Sequence, residues 1–333
     1  MRFSSQKLNT LAEIPAYLLS PAVASWLASK LYGGCYRLFG RSSLRMTTAA
    51  VQLTLAEPAR NARRIANACF AAKGAQRSNY RAMARSDCWR VAQTDFGASV
   101  HRALADAQAP LVILTIHQAD YLAGLLAVLR LIPLEREIHI IKLAEWTQIE
   151  ESAYQHFRQY GHTLVIHRLS EKPAKKIVRA LKKQAILVTF VDVPREFGAT
   201  ASVNMFDLPF QLTCGPLAMA RLASARVLPV FSNYSAKGLP EVSAGPLIES
   251  QGRSGTKVSV QSMSQQLASQ IESNLRRYAN QWEMWPVIPN LLDREALAQD
   301  STSLQPSTHL RLALVGATPV NQTTVVEAQG ADD

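Results

Sequence analysis

The stretch PLVILTIHQADYLAGLLAVL, residues 110–129, decides how this chain is read. Residues 111–116 form an apolar run rich in β-branched side chains, the pattern of a strand buried on both faces. A His follows, and a helical apolar pattern begins at once. This predicts a strand that delivers His117 to the mouth of a helix. Ligand sites in open α/β sheets gather at the carboxyl ends of strands, and imidazole titrates near neutral pH. His117 is therefore a candidate catalytic residue, set against the commoner case of a structural His.

Further along, strand 137–141 precedes helix 147–160, and strand 163–166 precedes helix 173–183. Strand 185–191 ends at Asp192, and helix 216–223 leads to strand 227–231. This alternation predicts an α/β fold, a mostly parallel or mixed sheet covered by helices. Helix 262–278 runs into an aromatic cluster with Trp282 and Trp285. Four regions follow: an anchor at 1–46, an Ala-rich helical arm at 47–106, the α/β domain at 107–295, and a Ser/Thr/Gln-rich tail at 296–333 expected to be poorly ordered.

With 333 residues, 48% apolar and 18% charged, most of the chain is expected to fold around a core. The formal charge of +11 is unevenly placed: residues 1–90 hold 14 Lys and Arg against 3 Asp and Glu, and the remainder is balanced. Residues 14–39 add Tyr17, Trp26, Tyr32, Tyr36 and Phe39 to an apolar run flanked by Lys30, Arg37, Arg41 and Arg45. That is the composition of a segment associating with an anionic membrane. Its uncharged part, 14–29, carries Pro15 and Pro21 and falls short of the roughly 20 residues of a spanning helix. The other reading is an amphipathic helix docked on the core. A nucleic-acid partner is disfavoured, because no recognition motif accompanies the basic arm. The four cysteines are widely spaced, with no Cys/His ligand cluster, which suggests a reducing compartment. No metal or nucleotide cofactor is expected.

Three blocks now fall in order: VILTIHQADYLAG after Leu111, the pair RALKKQAILVTFVDVP (179–194) with MFDLPFQLTCGPLAMARLASARVLPVF (205–231), and YANQWEMW (278–285). Together they resemble the bacterial lipid A biosynthesis acyltransferases, within the wider glycerolipid acyltransferase fold. The second block carries most of the likeness. It has a basic pair, Lys182–Lys183, an apolar strand ending at Asp192, a loop with Phe206, the step Gly215–Pro216, a small-residue helix and the strand Pro229–Phe231. The third block resembles the family's closing Gln-Trp-x-Trp, shifted by one residue.

The resemblance implies transfer of a fatty acyl group from an acyl carrier protein or CoA thioester to a hydroxyl of a lipid or glycolipid. It implies the cytoplasmic face of a bacterial inner membrane. Lipid A is one acceptor; a pigment, a polyene or another envelope lipid is the specialised alternative. The family motif, His-x-Gly-Asn-Trp-Glu, pairs a base with a carboxylate five residues on. Here His117 matches the base, but position +5 is Leu122 and the nearest carboxylate is Asp120 at +3. Two readings stand. Asp120 replaces the missing group, or the dyad is broken and the chain is a non-catalytic homologue that binds lipid or acyl carrier. Asp207 stands for the family's Gly after Phe-Phe, and Cys214 for its Thr before Gly. Asp192 either lines the acceptor site or caps a loop. Arg195 is a candidate phosphate or carboxylate contact, and Lys142 a candidate donor or acceptor contact; for each, the ordinary surface role is the commoner case.

Overall fold

The computed structural model describes residues 19–85, 98, 101, 104, 109–142, 151, 154, 155, 157, 158, 161–234, 240–252 and 255–300. Most of the helix expected at 147–160 and most of the tail lie outside these. Five strands run parallel and a sixth, at one edge, antiparallel, in the order β3-β2-β4-β1-β7-β8. They are β1 (Leu111–Thr115), β2 (Ile138–Lys142), β3 (Leu164–Arg168), β4 (Ile186–Phe190), β7 (Arg226–Tyr234) and β8 (Pro240–Ala244). A separate antiparallel hairpin pairs β5 (Thr200–Met205) with β6 (Leu208–Thr213). The mixed α/β class expected from the sequence is the one found.

Strand β1 lies inside the sheet between β4 and β7, and all five of its residues are buried. Its alternation divides the core. Val112 and Leu114 join one cluster with Ile177, Leu217, Leu267 and Trp285. Leu111 and Ile113 join the other, with Leu122, Leu126 and Phe157. Each such aliphatic side chain contributes about 1.5–3 kcal/mol on burial. Helix α4 (Tyr121–Leu129) belongs to the second cluster. Its Gly124 meets Ser232 of β7 so closely that a Cβ would not fit. The first cluster takes α5 (Ala174–Leu181), α6 (Gly215–Ala223) and α7 (Val260–Tyr278). Two short helices, α8 (Ile288–Leu291) and α9 (Arg294–Asp300), follow.

The described residues 19–85 hold three helices: α1 (Pro21–Phe39), α2 (Arg41–Leu55) and α3 (Ala59–Arg85). Pro21 opens α1 at a position where no N–H is needed. Helix α1 packs on α3 across Gly74, where a Cβ would run into Ala28 and Tyr32. The boundary read at residue 46 falls within α2. Among the described residues, no helix is long and apolar enough to cross a membrane.

The hairpin was not foreseen, because its two-residue loop is Phe206–Asp207 and holds no Gly. Both residues have positive φ, 58° and 57°. This is the conformation a tight hairpin turn demands, and it accounts for a Gly at the Asp207 position in the family pattern. The Phe206 amide donates to Glu272 Oε2 at 2.9 Å, and the Arg276 guanidinium sits 5.3 Å from the Phe206 ring centroid. Those contacts hold the turn from α7. Cys214 occupies the N-cap of α6 and makes no side-chain cap bond, a bond that a Thr hydroxyl can supply.

Candidate active site

His117 and Asp192 are brought together by strand register. Strands β1 and β4 are parallel neighbours, with Thr115 opposite Phe190. Each functional residue lies two positions beyond its member of that pair. The His117 amide donates to Asp192 Oδ2 at 2.8 Å, and His117 Nδ1 lies 2.8 Å from Asp192 Oδ1. The Trp282 indole Nε1–H donates to Asp192 Oδ2 at 2.9 Å. The carboxylate is thus held by three bonds and is only 3% exposed, while the imidazole is 17% exposed. A carboxylate accepts, so Nδ1 carries the proton and Nε2 is left as the basic nitrogen. Burial disfavours the imidazolium, but the Asp192 charge and hydrogen bond outweigh it and raise the His117 pKa above its ordinary value.

Aromatic rings set the plane of the imidazole. Phe190 stacks on it at 4.1 Å between centroids, and Tyr121 meets it edge-on at 5.2 Å. His117 borders a cavity of about 360 Å³ whose walls include Leu122, Ile140, Phe190, Val193 and Met219. The size and apolar lining suit a small-molecule or chain-binding site. Lys142 lines the same cavity. Arg195 is exposed on the short turn Arg195–Phe197 and is not among the lining residues.

Asp120 has a different position from the one the motif spacing suggested. It caps α4, accepting from the Ala123 amide at 3.2 Å, and Asn79 Nδ2 donates to it at 3.2 Å. The ring of His117 is bonded to Asp192 instead. Burial, the largest influence, pushes the Asp120 carboxyl up to about 7, against the bonds from Ala123 and Asn79. Leu122, at the family's carboxylate position, is a buried wall residue of the cavity.

The segment between His117 and α4 is clamped from two directions. Ala119, where the family pattern has Gly, has φ 48°. Its amide donates to the Gln281 carbonyl at 2.9 Å, and Gln76 of α3 donates to its carbonyl at 2.6 Å. The Glu283 amide donates to the His117 carbonyl at 2.9 Å. The Gln-Trp element is therefore the support of the site: Gln281 pins Ala119, Trp282 pins Asp192, and the fully buried Trp285 packs edge-on against Trp282 at 4.8 Å. Sequence reading gave these residues no individual role; the family's closing motif was the one available signal. Among the described residues, no group of three or more His, Cys, Asp and Glu could hold a metal ion.

A buried carboxylate fixing one imidazole nitrogen of a His that borders an apolar cavity is an arrangement able to serve general-base chemistry. The family model of the bacterial lipid A biosynthesis acyltransferases matches residues 149–285. That span begins after His117 and contains Asp192 and Trp282. Over those residues the chain is similar to the lipid A biosynthesis acyltransferases, which supports an acyltransferase of lipid A type. No curated protein matches it.

Proposed function

We propose that this protein transfers a fatty acyl group from a carrier-protein or CoA thioester to a hydroxyl of a lipid or glycolipid, with His117 as general base. The observation that carries this reading is the Nδ1–Asp192 bond at 2.8 Å beside an apolar cavity. The acceptor hydroxyl gives its proton to His117 Nε2 as its oxygen attacks the thioester carbonyl carbon. The tetrahedral adduct collapses, the carbon–sulfur bond breaks, and the imidazolium returns the proton to the thiolate. Asp192 stabilises the imidazolium formed between these steps and holds the ring in one tautomer. The cavity takes the acyl chain, and Lys142 contacts the polar part of a substrate.

The non-catalytic reading loses its main ground, since the imidazole has a carboxylate partner despite Leu122. The lipid acceptor places the protein at a membrane face, the cytoplasmic side of a bacterial inner membrane by family analogy. Trp26 and Leu38 of α1, 61% and 64% exposed, support contact with lipid. The test is incubation of purified protein with acyl-carrier-protein or CoA thioesters and extracted membrane lipids, followed by mass spectrometry. A hydroxyl-bearing lipid gaining one acyl group supports the reading. Free acid release with no acylated lipid in any fraction contradicts it.

A further inference from the structure

We propose that the groove between α1 and α3 binds the phosphate of an anionic membrane lipid, through Arg37, Arg60, Arg63 and Arg64. This rests on the membrane reading above and names the headgroup chemistry and the residues. The groove encloses about 650 Å³ and also presents Asn61 and Asn67, with small residues Ala68 and Ala71 leaving the space open. Among the described residues, no acidic side chain is ion-paired with these four arginines. The nearby Glu57 accepts from Asn61 Nδ2 at 3.2 Å, and Arg37 Nε donates to Asn67 Oδ1 at 3.1 Å. That bond ties the two helices at the groove.

The arginines give the groove a field of one sign, offset in part by Glu57, two residues before α3. Arg60, Arg63 and Arg64 stand in the first two turns of the 27-residue α3, whose first turn has no acidic residue. The helix dipole is positive there, so three cations add to a field of their own sign. A phosphate relieves both, and guanidiniums bind its oxygens in bidentate fashion.

A second observation points to lipid and not to free phosphate. The exposed face of α1 carries Val23, Trp26 and Leu38, and Leu38 adjoins Arg37. Lys30 Nζ lies 5.9 Å from the centre of the Trp26 ring. An apolar, aromatic surface bordered by cations is suited to acyl chains beside a headgroup. The groove is separate from the reacting centre. Lys73 of α3 pairs with Glu283, whose amide bonds to the His117 carbonyl. From Lys73 back to Arg63 is about 15 Å along the helix.

The test compares flotation with vesicles of phosphatidylcholine containing phosphatidylglycerol, at one ionic strength. One triple variant is Arg60→Gln, Arg63→Gln and Arg64→Gln; the other, Lys182→Gln, Lys183→Gln and Lys257→Gln, removes the same charge from exposed sites elsewhere. The groove triple should bind at least about 10-fold more weakly, with much less change in the control. Equal loss in both, or none in the groove triple, overturns the proposal. Wild type that binds inorganic phosphate as tightly as vesicles, with the same dependence on the groove arginines, overturns the lipid assignment. If the triple unfolds, Arg63→Gln and Arg64→Gln singly should each give a partial loss, and no loss in either is contrary. His117→Ala should float like the parent, so vesicle binding and catalysis are judged independently.

Discussion

Asp192 lies beside His117 because β1 and β4 are adjacent parallel strands in register, and both residues fall two positions past the pair Thr115–Phe190. The carboxylate at the imidazole thus comes from a neighbouring strand and not from the helix that follows His117.

Asp192→Asn keeps the shape of the side chain and removes its charge. The imidazolium then loses its stabilising partner, so kcat should fall by about 10²-fold or more with KM little changed. Steady-state kinetics check this. An unaltered kcat would mean that another group serves His117.

The pH profile follows from the same pair. A base works when deprotonated, so activity should be low in acid and rise as pH passes the His117 pKa. Asp192 raises that pKa, which moves the midpoint above that of an ordinary imidazole. In Asp192→Asn the raising charge is gone, so the residual activity should reach its plateau at lower pH. A kcat/KM profile of both proteins tests the direction of the shift.

Ala119 holds a left-handed backbone at φ 48°. A Cβ in that region costs about 1–2 kcal/mol, partly offset by the greater flexibility of Gly when unfolded. Ala119→Gly should therefore be neutral or stabilising by up to about 1 kcal/mol. Ala119→Val should be clearly destabilising. Denaturant titration measures both.

Asp120 should matter to stability through its helix cap. Asn retains an acceptor for the Ala123 amide, whereas Ala loses it at a cost of about 1 kcal/mol. The native carboxyl is raised to about 7 from 3.8. The folded form therefore keeps its proton over a range where the unfolded form loses it, and this contribution to stability declines as pH rises from about 4 to about 7. Asp120→Asn removes the decline, so its melting temperature should gain on the parent between pH 5 and pH 8. A constant difference across that range would contradict the assignment.

Much of this site was legible before the fold was known. The apolar runs ending at His117 and Asp192 placed two titratable groups at strand ends, and parallel strands share a carboxyl edge. What a single sequence does not state is which strands are neighbours. Spacing along the chain pointed to Asp120 at +3, whereas the bond spans 75 residues, to Asp192. The hairpin stayed hidden because Phe206 and Asp207 adopt a turn usually announced by Gly or Asn. Trp282 read as part of an aromatic cluster, and its indole holds the Asp192 carboxylate.

The most direct measurement is the initial rate of acyl transfer to lipid hydroxyl by the parent protein and by His117→Ala, scored by mass spectrometry on one donor and one acceptor. The variant should retain its fold and lose roughly 10²–10⁴-fold in rate. Parent-level transfer by folded His117→Ala would contradict the general-base account.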